Sequence, residues 1–405
     1  MWHTRINTAL KEQKKRDRYR QQSVCTTNSS SVSIQVDQNH YFNFSSNDYL
    51  GLAHHPQMIA SAVDSAKALG VGSGGSPHVT GYSASLSGLE AKLASWLGYE
   101  AAIVYPSGFT ANQAVIKLMI EQNDLMIADR LSHASLLEAA VFSKGRLFRF
   151  KHNDCQSLKS YLDKPLPENA GRLVITEGVF SMDGDHAPLK EIKALTDQYD
   201  HTLLMIDDAH GIGIFGEGGR GSCDLYGIKP DILVVTFGKA FGCSGAALLL
   251  SEELKAYFIQ FSKPLIYSTA ISPMQAAILD RGIDLIASKE GDQKRAKLKE
   301  NITYFRAKVE SLLQEVAQKD SNMTLPYLLA SQSPIQPLII GSDQAALEIS
   351  KKLRDNGIWV SAIRPPTVPP NTARLRITIT AEHSLIMIDT LILALQNAIY
   401  EQFLG

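Results

Sequence analysis

The 405-residue chain is too long for one compact core, so two domains, or a large domain and a smaller one, are expected. With 44% hydrophobic residues, 20% charged residues and a formal net charge of -1, it gives no electrostatic reason to expect a nucleic-acid partner. No apolar run approaches the roughly 18–20 residues that span a bilayer, and the first residues lack the apolar core of a secretion signal.

The cysteines indicate a reducing cytoplasm as the expected location. They are widely scattered, at Cys25, Cys155, Cys223 and Cys243. Because no two of them form a C-x-x-C pair, neither a zinc site nor a disulfide framework is expected.

The first part of the chain is predicted to be a polar basic helix over residues 1–22, most simply a solvated face. Arg20, its last arginine, could still reach a carboxylate on a substrate.

Residues 23–39 are polar and tend toward strand, and residues 56–69 show a helical pattern. The five glycines of residues 70–81 disfavour a helix or central strand there and indicate close backbone approach. They follow a helix rather than a strand, which excludes a dinucleotide-binding fingerprint.

From residue 101 onward, apolar strand-like runs alternate with helical patterns. The runs cover residues 101–104, 125–128, 147–150, 173–176, 202–206, 232–235 and 246–250. The helical patterns between several of them cover residues 110–121, 133–142 and 188–199. This alternation predicts an α/β domain with a mainly parallel seven-stranded sheet covered on both faces. In such sheets ligands bind beyond the carboxyl ends of the strands, so the residues after each run are the candidates for chemistry.

The last third of the chain is predicted to form a smaller α+β domain, reached through a long charged helical region over residues 273–318. Its predicted strands cover residues 335–340, 358–363 and 375–379, and its predicted helices cover residues 344–355 and 385–403. The predicted division is an N-terminal segment (1–50), a large α/β domain (51–285) and a small domain (286–405).

Lys239 follows the buried run 232–235, and Gly238, Gly242 and Gly245 flank it, which indicates that something approaches the backbone closely. Burial of an amine lowers its pKa, the condition that a Schiff-base lysine requires. On this stretch alone, an exposed lysine in a glycine-rich loop is an equal alternative.

Other strand ends also carry polar groups. The turn Ser107-Gly108-Phe109 begins a helix whose N-terminus would suit a phosphate, although an ordinary N-cap explains it more simply. His133 begins the next helix, where it could stack on a flat ligand or only cap. Residues 176–184, including Ser181, are explained most simply as a surface turn.

Asp207 ends a wholly apolar strand, so its carboxylate requires water, a metal or a protonated nitrogen. A metal would have only Asp207 and His210 as ligands, which favours the alternative: a carboxylate that keeps the nitrogen of a pyridoxal ring protonated. Thr236 adds a hydroxyl for a phosphate. Together the strand ends provide what pyridoxal 5′-phosphate (PLP) requires: phosphate donors, a stacking ring, a ring-nitrogen carboxylate and a lysine.

These residues resemble the α-oxoamine synthases, a family of fold-type-I PLP-dependent enzymes. The resemblance extends from Arg20 to Thr380. Its most specific motifs are FSSNDYLGL (44–52), GSGGS (72–76), ADRLSHASLLEA (128–139), TEGVFSMDGD (176–185), DDAHGIG (207–213), GGRGS (218–222), TFGKAFG (236–242), IRPPTVP (363–369) and ARLRIT (373–378). It implies a fold-type-I transferase with a large PLP-binding domain and a small C-terminal domain. One departure is Leu86, which stands where relatives often have His.

The resemblance also implies roles for individual residues. Lys239 would hold PLP as a Schiff base and act as the base, Asp207 would pair with the ring nitrogen, and His133 would stack on the ring and take part in catalysis. Further cofactor contacts are implied for Gly108, Phe109, Ser181, His210 and Thr236, and for Ser268 and Thr269 toward the neighbouring subunit of a homodimer. Substrate contacts are implied for Arg20, His133, Thr367 and Arg376, with Arg376 holding the carboxylate of the amino acid.

Within this family the chain is most similar to the members that condense L-alanine with a pimeloyl thioester, of CoA or of acyl carrier protein, in biotin biosynthesis. The motifs IRPPTVP and DDAHG favour this activity over a sister activity that uses glycine and acetyl-CoA. A non-catalytic α/β binding protein with the same fold is the alternative from a different class.

Overall fold

The computed structural model describes residues 1–16, 18–27, 29–319 and 325–404. Its helices are α1 (Trp2–Lys15), α2 (Pro56–Leu69), α3 (Ala84–Leu97), α4 (Gly108–Met119), α5 (Ala134–Val141), α6 (Cys155–Leu162), α7 (Leu189–Thr196), α8 (Ser222–Leu225), α9 (Glu252–Phe261), α10 (Lys263–Tyr267), α11 (Pro273–Ala287), α12 (Lys289–Lys319), α13 (Asp343–Asp355) and α14 (Leu385–Phe403). Shorter helical turns cover Leu52–His54, Pro77–Gly81 and Glu217–Gly219.

The strands form three sheets. They are β1 (Cys25–Thr26), β2 (Ser33–Val36), β3 (Asn39–Asn43), β4 (Ala101–Tyr105), β5 (Leu125–Asp129), β6 (Arg146–Phe150), β7 (Arg172–Glu177), β8 (Thr202–Asp207), β9 (Ile232–Thr236), β10 (Ala246–Leu250), β11 (Tyr327–Leu328), β12 (Ile335–Gly341), β13 (Ile358–Trp359), β14 (Ser361–Ile363) and β15 (Ala373–Thr378).

The central sheet has seven strands in the order β4-β10-β9-β8-β7-β5-β6. Every pair from β9 to β6 is parallel, whereas β10 runs antiparallel to both of its neighbours. The inner strands β5, β9 and β10 are buried at every residue, which is why they are continuous apolar runs in the sequence. The predicted mainly parallel seven-stranded sheet is therefore confirmed.

Helices cover both faces of this sheet. On one face, apolar side chains of α4, α5 and α9 pack against the strands. On the other face, α2, α3, α6, α7 and α11 form a second apolar cluster that continues into the small domain. None of the helices in the described ranges has the length and hydropathy needed to cross a bilayer.

The small domain contains an antiparallel sheet, β11-β12-β15-β14, with α12, α13 and α14 packed beside it. A third sheet, β1-β2-β3-β13, joins the N-terminal segment to this domain, because β13 pairs in parallel with β3. The domain boundaries at residues 50 and 285 stay predictions.

The predicted single strand over residues 358–363 is wrong in one respect, because the chain changes sheets at Val360. The carbonyl of Val360 accepts a hydrogen bond from Ser350 Oγ at 2.7 Å, and the next N–H, of Ser361, is donated to Ser45 Oγ at 3.0 Å. Ile358–Trp359 therefore pairs with β3, while Ser361–Ile363 pairs with β15.

The helix predicted over residues 1–22 ends already at Lys15, and the predicted helical region after residue 272 is two helices that break at Ser288. Ser288 has extended backbone dihedrals, and its hydroxyl accepts hydrogen bonds from the N–H groups of Glu290 and Gly291. The residue thus caps the start of the following helix, which explains the break.

Candidate active site

A cavity of about 560 Å³ lies beyond the carboxyl ends of β4, β7, β8 and β9 and is bordered by residues of the small domain. It is lined by these predicted site residues: Gly108, Phe109, His133, Ser181, Asp207, His210, Thr236, Lys239 and Arg376. Four further predicted residues, Arg20, Ser268, Thr269 and Thr367, lie outside this lining. Three of them are exposed and Ser268 is half-buried, and their roles stay predictions.

Lys239 lies in the turn after β9, where its Nζ donates a hydrogen bond to Thr236 Oγ1 at 3.2 Å. Burial lowers the pKa of the Lys239 amine, although the nearby carboxyl groups of Asp207 and Glu177 act in the opposite direction. A lysine with a lowered pKa holds more of the neutral amine that attacks an aldehyde. Of the two interpretations open from the sequence, the structure therefore supports the buried lysine.

The glycines beside Lys239 serve different purposes. Gly238 lines the cavity. Gly242 has φ +61°, and a Cβ there would lie 2.3 Å from the backbone nitrogen of Ala53. The close approach at Gly242 is thus to the chain's own backbone, not to the cavity.

Asp207 is the last residue of β8, and its carboxylate is oriented by two donors. Asn112 Nδ2 donates to Oδ2 at 2.7 Å, and the N–H of Ala209 donates to Oδ1 at 3.0 Å. Asn112 is anchored in turn, since it also donates to Ser135 Oγ at 3.0 Å. A carboxylate oxygen can accept two hydrogen bonds, so this arrangement leaves Asp207 capacity for a ligand N–H.

His133 caps α5, as one of the two alternatives had it, and it also lines the cavity; its stacking on a ligand stays a prediction. Its Nδ1 lies 2.8 Å from Ser135 Oγ and accepts the N–H of Ser135 at 3.3 Å. The N–H of His133 itself donates to Glu177 Oε1. Burial, and the nearby carboxylate of Asp207, raise the pKa of Glu177 well above its usual value. Burial therefore favours the protonated form of Glu177.

His210 is a buried imidazole held by Tyr49. Tyr49 Oη lies 2.7 Å from His210 Nδ1. Burial lowers the pKa of His210 well below its ordinary value, and the positive charges of Lys239 and Arg376 act in the same direction. Burial also raises the pKa of Tyr49 to about 12. His210 is thus a neutral ring. It can form a hydrogen bond with a ligand, and it does not form an ion pair with Asp207.

Arg376 extends from β15 of the small domain into the cavity and is 8% exposed. Its Nε donates to the carbonyl of Ser181 at 2.7 Å, and its Nη1 donates to Asn47 Oδ1 and Thr378 Oγ1, each at 3.2 Å. These acceptors are neutral, and a guanidinium has five N–H donors. The side chain is therefore fixed in place while its charge remains suited to an anion.

The start of α4 also lines the cavity. Ser107 Oγ accepts the N–H of Thr110 at 3.2 Å, which starts the helix at Gly108, two residues before the predicted start. A Cβ on Gly108 would lie 2.6 Å from Thr236 Cγ2, so only glycine lets the helix terminus approach Thr236 this closely. A helix N-terminus beside a hydroxyl and an amine suits a phosphate.

Several residues at the site had not been predicted as functional: Asn47, Tyr49, Asn112, Ser135 and Glu177. A signal existed for Glu177, which ends β7 as Asp207 ends β8, and the two are register partners in the sheet. A signal also existed for Asn112, a polar residue on an otherwise apolar helix face, where it is 1% exposed.

The sheet order and the small domain define a fold-type-I transferase. The sequence model for aminotransferase class I and II matches residues 39–395. The chain therefore belongs to the aminotransferase class I and II family.

Solved structures of similar proteins cover nearly the whole chain. A structure of SPT with a PLP internal aldimine is 26% identical, covers 98% of both chains and superimposes with a TM-score of 0.89. Serine palmitoyltransferase of Sphingomonas wittichii is 27% identical over 98% of both chains, with a TM-score of 0.87. The 8-amino-7-oxononanoate synthase of Francisella tularensis is 27% identical over 90% of this chain and 99% of its own, with a TM-score of 0.74.

Asp208, next to Asp207, gives a pH-dependence that can be tested. Its side chain is fully buried, and a Cβ on either Gly178 or Gly211 would lie 2.0 Å from its Oδ1. Burial raises the pKa of Asp208 from 3.8 to about 7, although the hydrogen bonds from Ser222 act in the opposite direction. The native protein therefore keeps a proton that the unfolded chain releases, and its stability falls as pH rises from about 4 to about 7.

We expect Asp208→Asn to remove this dependence, because an amide does not ionise. The free energy of unfolding of the wild type relative to D208N should fall by up to about 1.4 kcal/mol per pH unit between pH 5 and pH 7, and then level off. Urea denaturation at several pH values measures this difference. A difference that stays constant with pH would show that Asp208 titrates as it does in the unfolded chain.

Proposed function

We propose that the chain is a PLP-dependent α-oxoamine synthase, an acyltransferase that joins an amino acid to an acyl thioester and releases CO2 and the free thiol. The observation that carries the proposal is the convergence of Lys239, Asp207, His133 and Arg376 on one cavity between the two domains. The known structure of SPT with a PLP internal aldimine, over 98% of both chains, supports the same cofactor here.

The donor set of the cavity fits PLP from end to end. The N-terminus of α4 and the hydroxyl of Thr236 would bind the phosphate, Asp207 would hold the ring nitrogen protonated, and His133 would lie against the ring. His210 and Ser181 would contact the ring hydroxyl. When bound, PLP supplies an electron sink for the negative charge that develops at Cα of the amino acid.

The remaining work falls to the chain's own residues. Arg376 would bind the carboxylate of the amino acid, because its charge faces the cavity and its orientation is fixed by Ser181 and Asn47. Lys239, with its lowered pKa, would accept the Cα proton. Either Lys239 or His133 would return a proton to the product. Arg20 and Thr367, on the surface of the described chain, are proposed as contacts to the substrate.

The proposed substrates are L-alanine and a pimeloyl thioester of CoA or acyl carrier protein, which makes the chain an 8-amino-7-oxononanoate synthase of biotin biosynthesis. The motifs IRPPTVP (363–369) and DDAHG (207–211) support this choice, as does the similarity to the enzyme from Francisella tularensis. A second candidate is a serine palmitoyltransferase, favoured by the higher TM-score and longer coverage of that structure.

The substrate assignment is tested by thiol release from purified protein loaded with PLP. Alanine, glycine and serine are each paired with pimeloyl, acetyl and palmitoyl thioesters. We expect alanine with the pimeloyl thioester to give a kcat/KM at least about tenfold above every other pair, since a pocket discriminates one added group by about that factor. The control Lys239→Ala should release no thiol and lose the Schiff-base absorbance.

Each contrary outcome has a distinct meaning. A better rate with serine and palmitoyl thioester would favour the second candidate, and one with glycine and acetyl-CoA would favour the sister enzyme, 2-amino-3-oxobutyrate CoA ligase. A protein that stays colourless with PLP and inert with all nine pairs would favour a non-catalytic α/β binding protein.

We also propose a homodimer in which Ser268 and Thr269 reach the phosphate in the partner's cavity. These residues follow α10, whose Tyr267 is 79% exposed. The segment is tied to the glycine-rich loop, since Ala270 donates its N–H to the Gly75 carbonyl at 2.9 Å. Val79 of that loop is 77% exposed. Large apolar side chains exposed together support an interface at this surface.

A mixing experiment tests the shared site. Lys239→Ala and the double variant S268A/T269A should each be inactive as separate dimers. After subunit exchange, a mixed dimer holds one intact site, so random mixing should restore about a quarter of wild-type activity. Native mass spectrometry, with an affinity tag on one of the two variants, confirms that exchange has occurred. Mixed dimers without recovered activity would contradict the shared site.

A further inference from the structure

A partly buried network of charges outside the cavity connects two loops that carry site residues. At its centre is His152, two residues beyond the edge strand β6. His152 Nδ1 lies 3.0 Å from Asp129 Oδ1, and Nε2 lies 2.8 Å from Asp185 Oδ2. The ring packs edge-on against Phe180, with 4.4 Å between the ring centroids.

Both ring nitrogens of His152 face carboxylate oxygens, which are acceptors when ionised. An imidazole can donate from both nitrogens only when it is protonated. Burial lowers the pKa of His152, but the hydrogen bonds to Asp129 and Asp185 outweigh it and raise the pKa to about 10. His152 is therefore an imidazolium at neutral pH.

On one side, the network fixes the loop that carries His133. Asp129 ends β5 and is fully buried. Its Oδ1 also accepts the N–H of Leu131 at 2.8 Å, and its Oδ2 accepts the N–H of Asn153 at 2.9 Å. The same carboxylate thus binds His152 and turns the backbone two residues before His133.

On the other side, the network fixes the loop that carries Ser181. Asp185 Oδ2 accepts Asn153 Nδ2 at 2.7 Å in addition to His152. The loop is closed by two backbone bonds, from Phe180 N–H to the Asp185 carbonyl at 3.0 Å and from Gly184 N–H to the Phe180 carbonyl at 2.8 Å. Within it, the carbonyl of Ser181 accepts Arg376 Nε.

The carboxylates of Asp129, Asp183 and Asp185 form ion pairs with cationic side chains of the same chain. Asp183 forms an ion pair with Arg374, which lies on the same strand as Arg376, and His152 stands between Asp129 and Asp185. Although His152, Asp183 and Asp185 lie close enough to hold a metal ion, these contacts already supply the positive charge.

We propose that His152 is a positioning residue for the reaction proposed above. By binding both carboxylates at once, it sets the distance between the loop of His133 and the loop of Ser181. Both loops line the cavity, one through His133 and the other through Ser181, whose carbonyl accepts a hydrogen bond from Arg376 Nε. The inference rests on the proposed function for its catalytic consequence, but the linkage itself is a property of the chain.

The test uses His152→Gln in the full-length protein, with and without PLP. Glutamine is neutral and leaves the buried carboxylate of Asp129 without its cation. We expect amide hydrogen exchange to rise at least about tenfold in residues 130–133 and 180–185, and the PLP dissociation constant to rise by about tenfold. The KM for the amino acid should rise more than kcat falls, because the contact of Arg376 with the Ser181 carbonyl is loosened while Lys239 is untouched.

The matched control is His201→Asn. His201 is exposed at the opposite end of the sheet and has φ +56°, a conformation that asparagine adopts readily. It should leave exchange in both loops and the affinity for PLP at wild-type values.

A second variant, Asp185→Asn, protects the test against a His152 variant that does not fold. It breaks only one of the two links, so exchange should rise in residues 180–185 and stay at the wild-type value in residues 130–133. Unchanged exchange in both loops in either variant, or a uniform rise through the whole chain, would overturn the proposal. Because exchange is measured without substrate, a failure of the proposed function would leave this result intact and would appear only in the kinetics.

Discussion

The structure depends on the burial of an amine beside carboxyl groups at the ends of three parallel strands. Lys239, Asp207 and Glu177 share one cavity, and the two carboxyl groups counteract the lowering of the Lys239 pKa that burial causes. Burial disfavours every charge in this cluster, so some groups become neutral and others keep their charge only with a partner. Burial raises the pKa of Glu177 and lowers the pKa of His210, which favours the neutral form of each, while the carboxyl group of Asp207 is anchored by two hydrogen-bond donors. An amine with a lowered pKa, a neutral imidazole and a carboxyl group anchored by hydrogen bonds thus coexist within one site.

The parallel sheet makes this arrangement possible because its carboxyl ends meet at one edge. The register that pairs Glu177 with Asp207 places two acidic groups on neighbouring strands. The small domain then supplies the positive charge of Arg376 from the opposite wall, across a contact with the Ser181 carbonyl. The residues that line the cavity therefore come from segments between residue 45 and residue 376. No single segment supplies all of the proposed catalytic and binding groups.

Much of the fold could be predicted from the sequence because the buried strands are continuous apolar runs. Part of the site could also be predicted, because ligands of parallel sheets bind beyond the carboxyl ends of the strands, and the residues at those ends can be found from the sequence alone. This rule selected Asp207, Thr236, Lys239 and Ser107–Phe109, which the structure brings together. The remaining features depend on contacts between distant segments. The change of sheet at Val360 is fixed by Ser45 and Ser350, and the requirement for glycine at Gly242 comes from the backbone of Ala53.

Other residues could not be assigned for different reasons. The role of Asn112 follows from its hydrogen bond to Asp207 at 2.7 Å, and the role of Tyr49 follows from its contact with His210. Both contacts join residues that are far apart in the sequence. The role of Ser268 and Thr269 is a property of two chains, so one chain does not determine it.

The central claim is that Lys239 forms the covalent bond to PLP. The most direct measurement is reduction of the PLP-loaded protein with borohydride, followed by proteolysis and mass spectrometry of the peptides. The account predicts one reduced phosphopyridoxyl group per chain, on the peptide that contains Lys239, and none on the Lys239→Ala variant. A group attached to another lysine, or a chain without any, would contradict it.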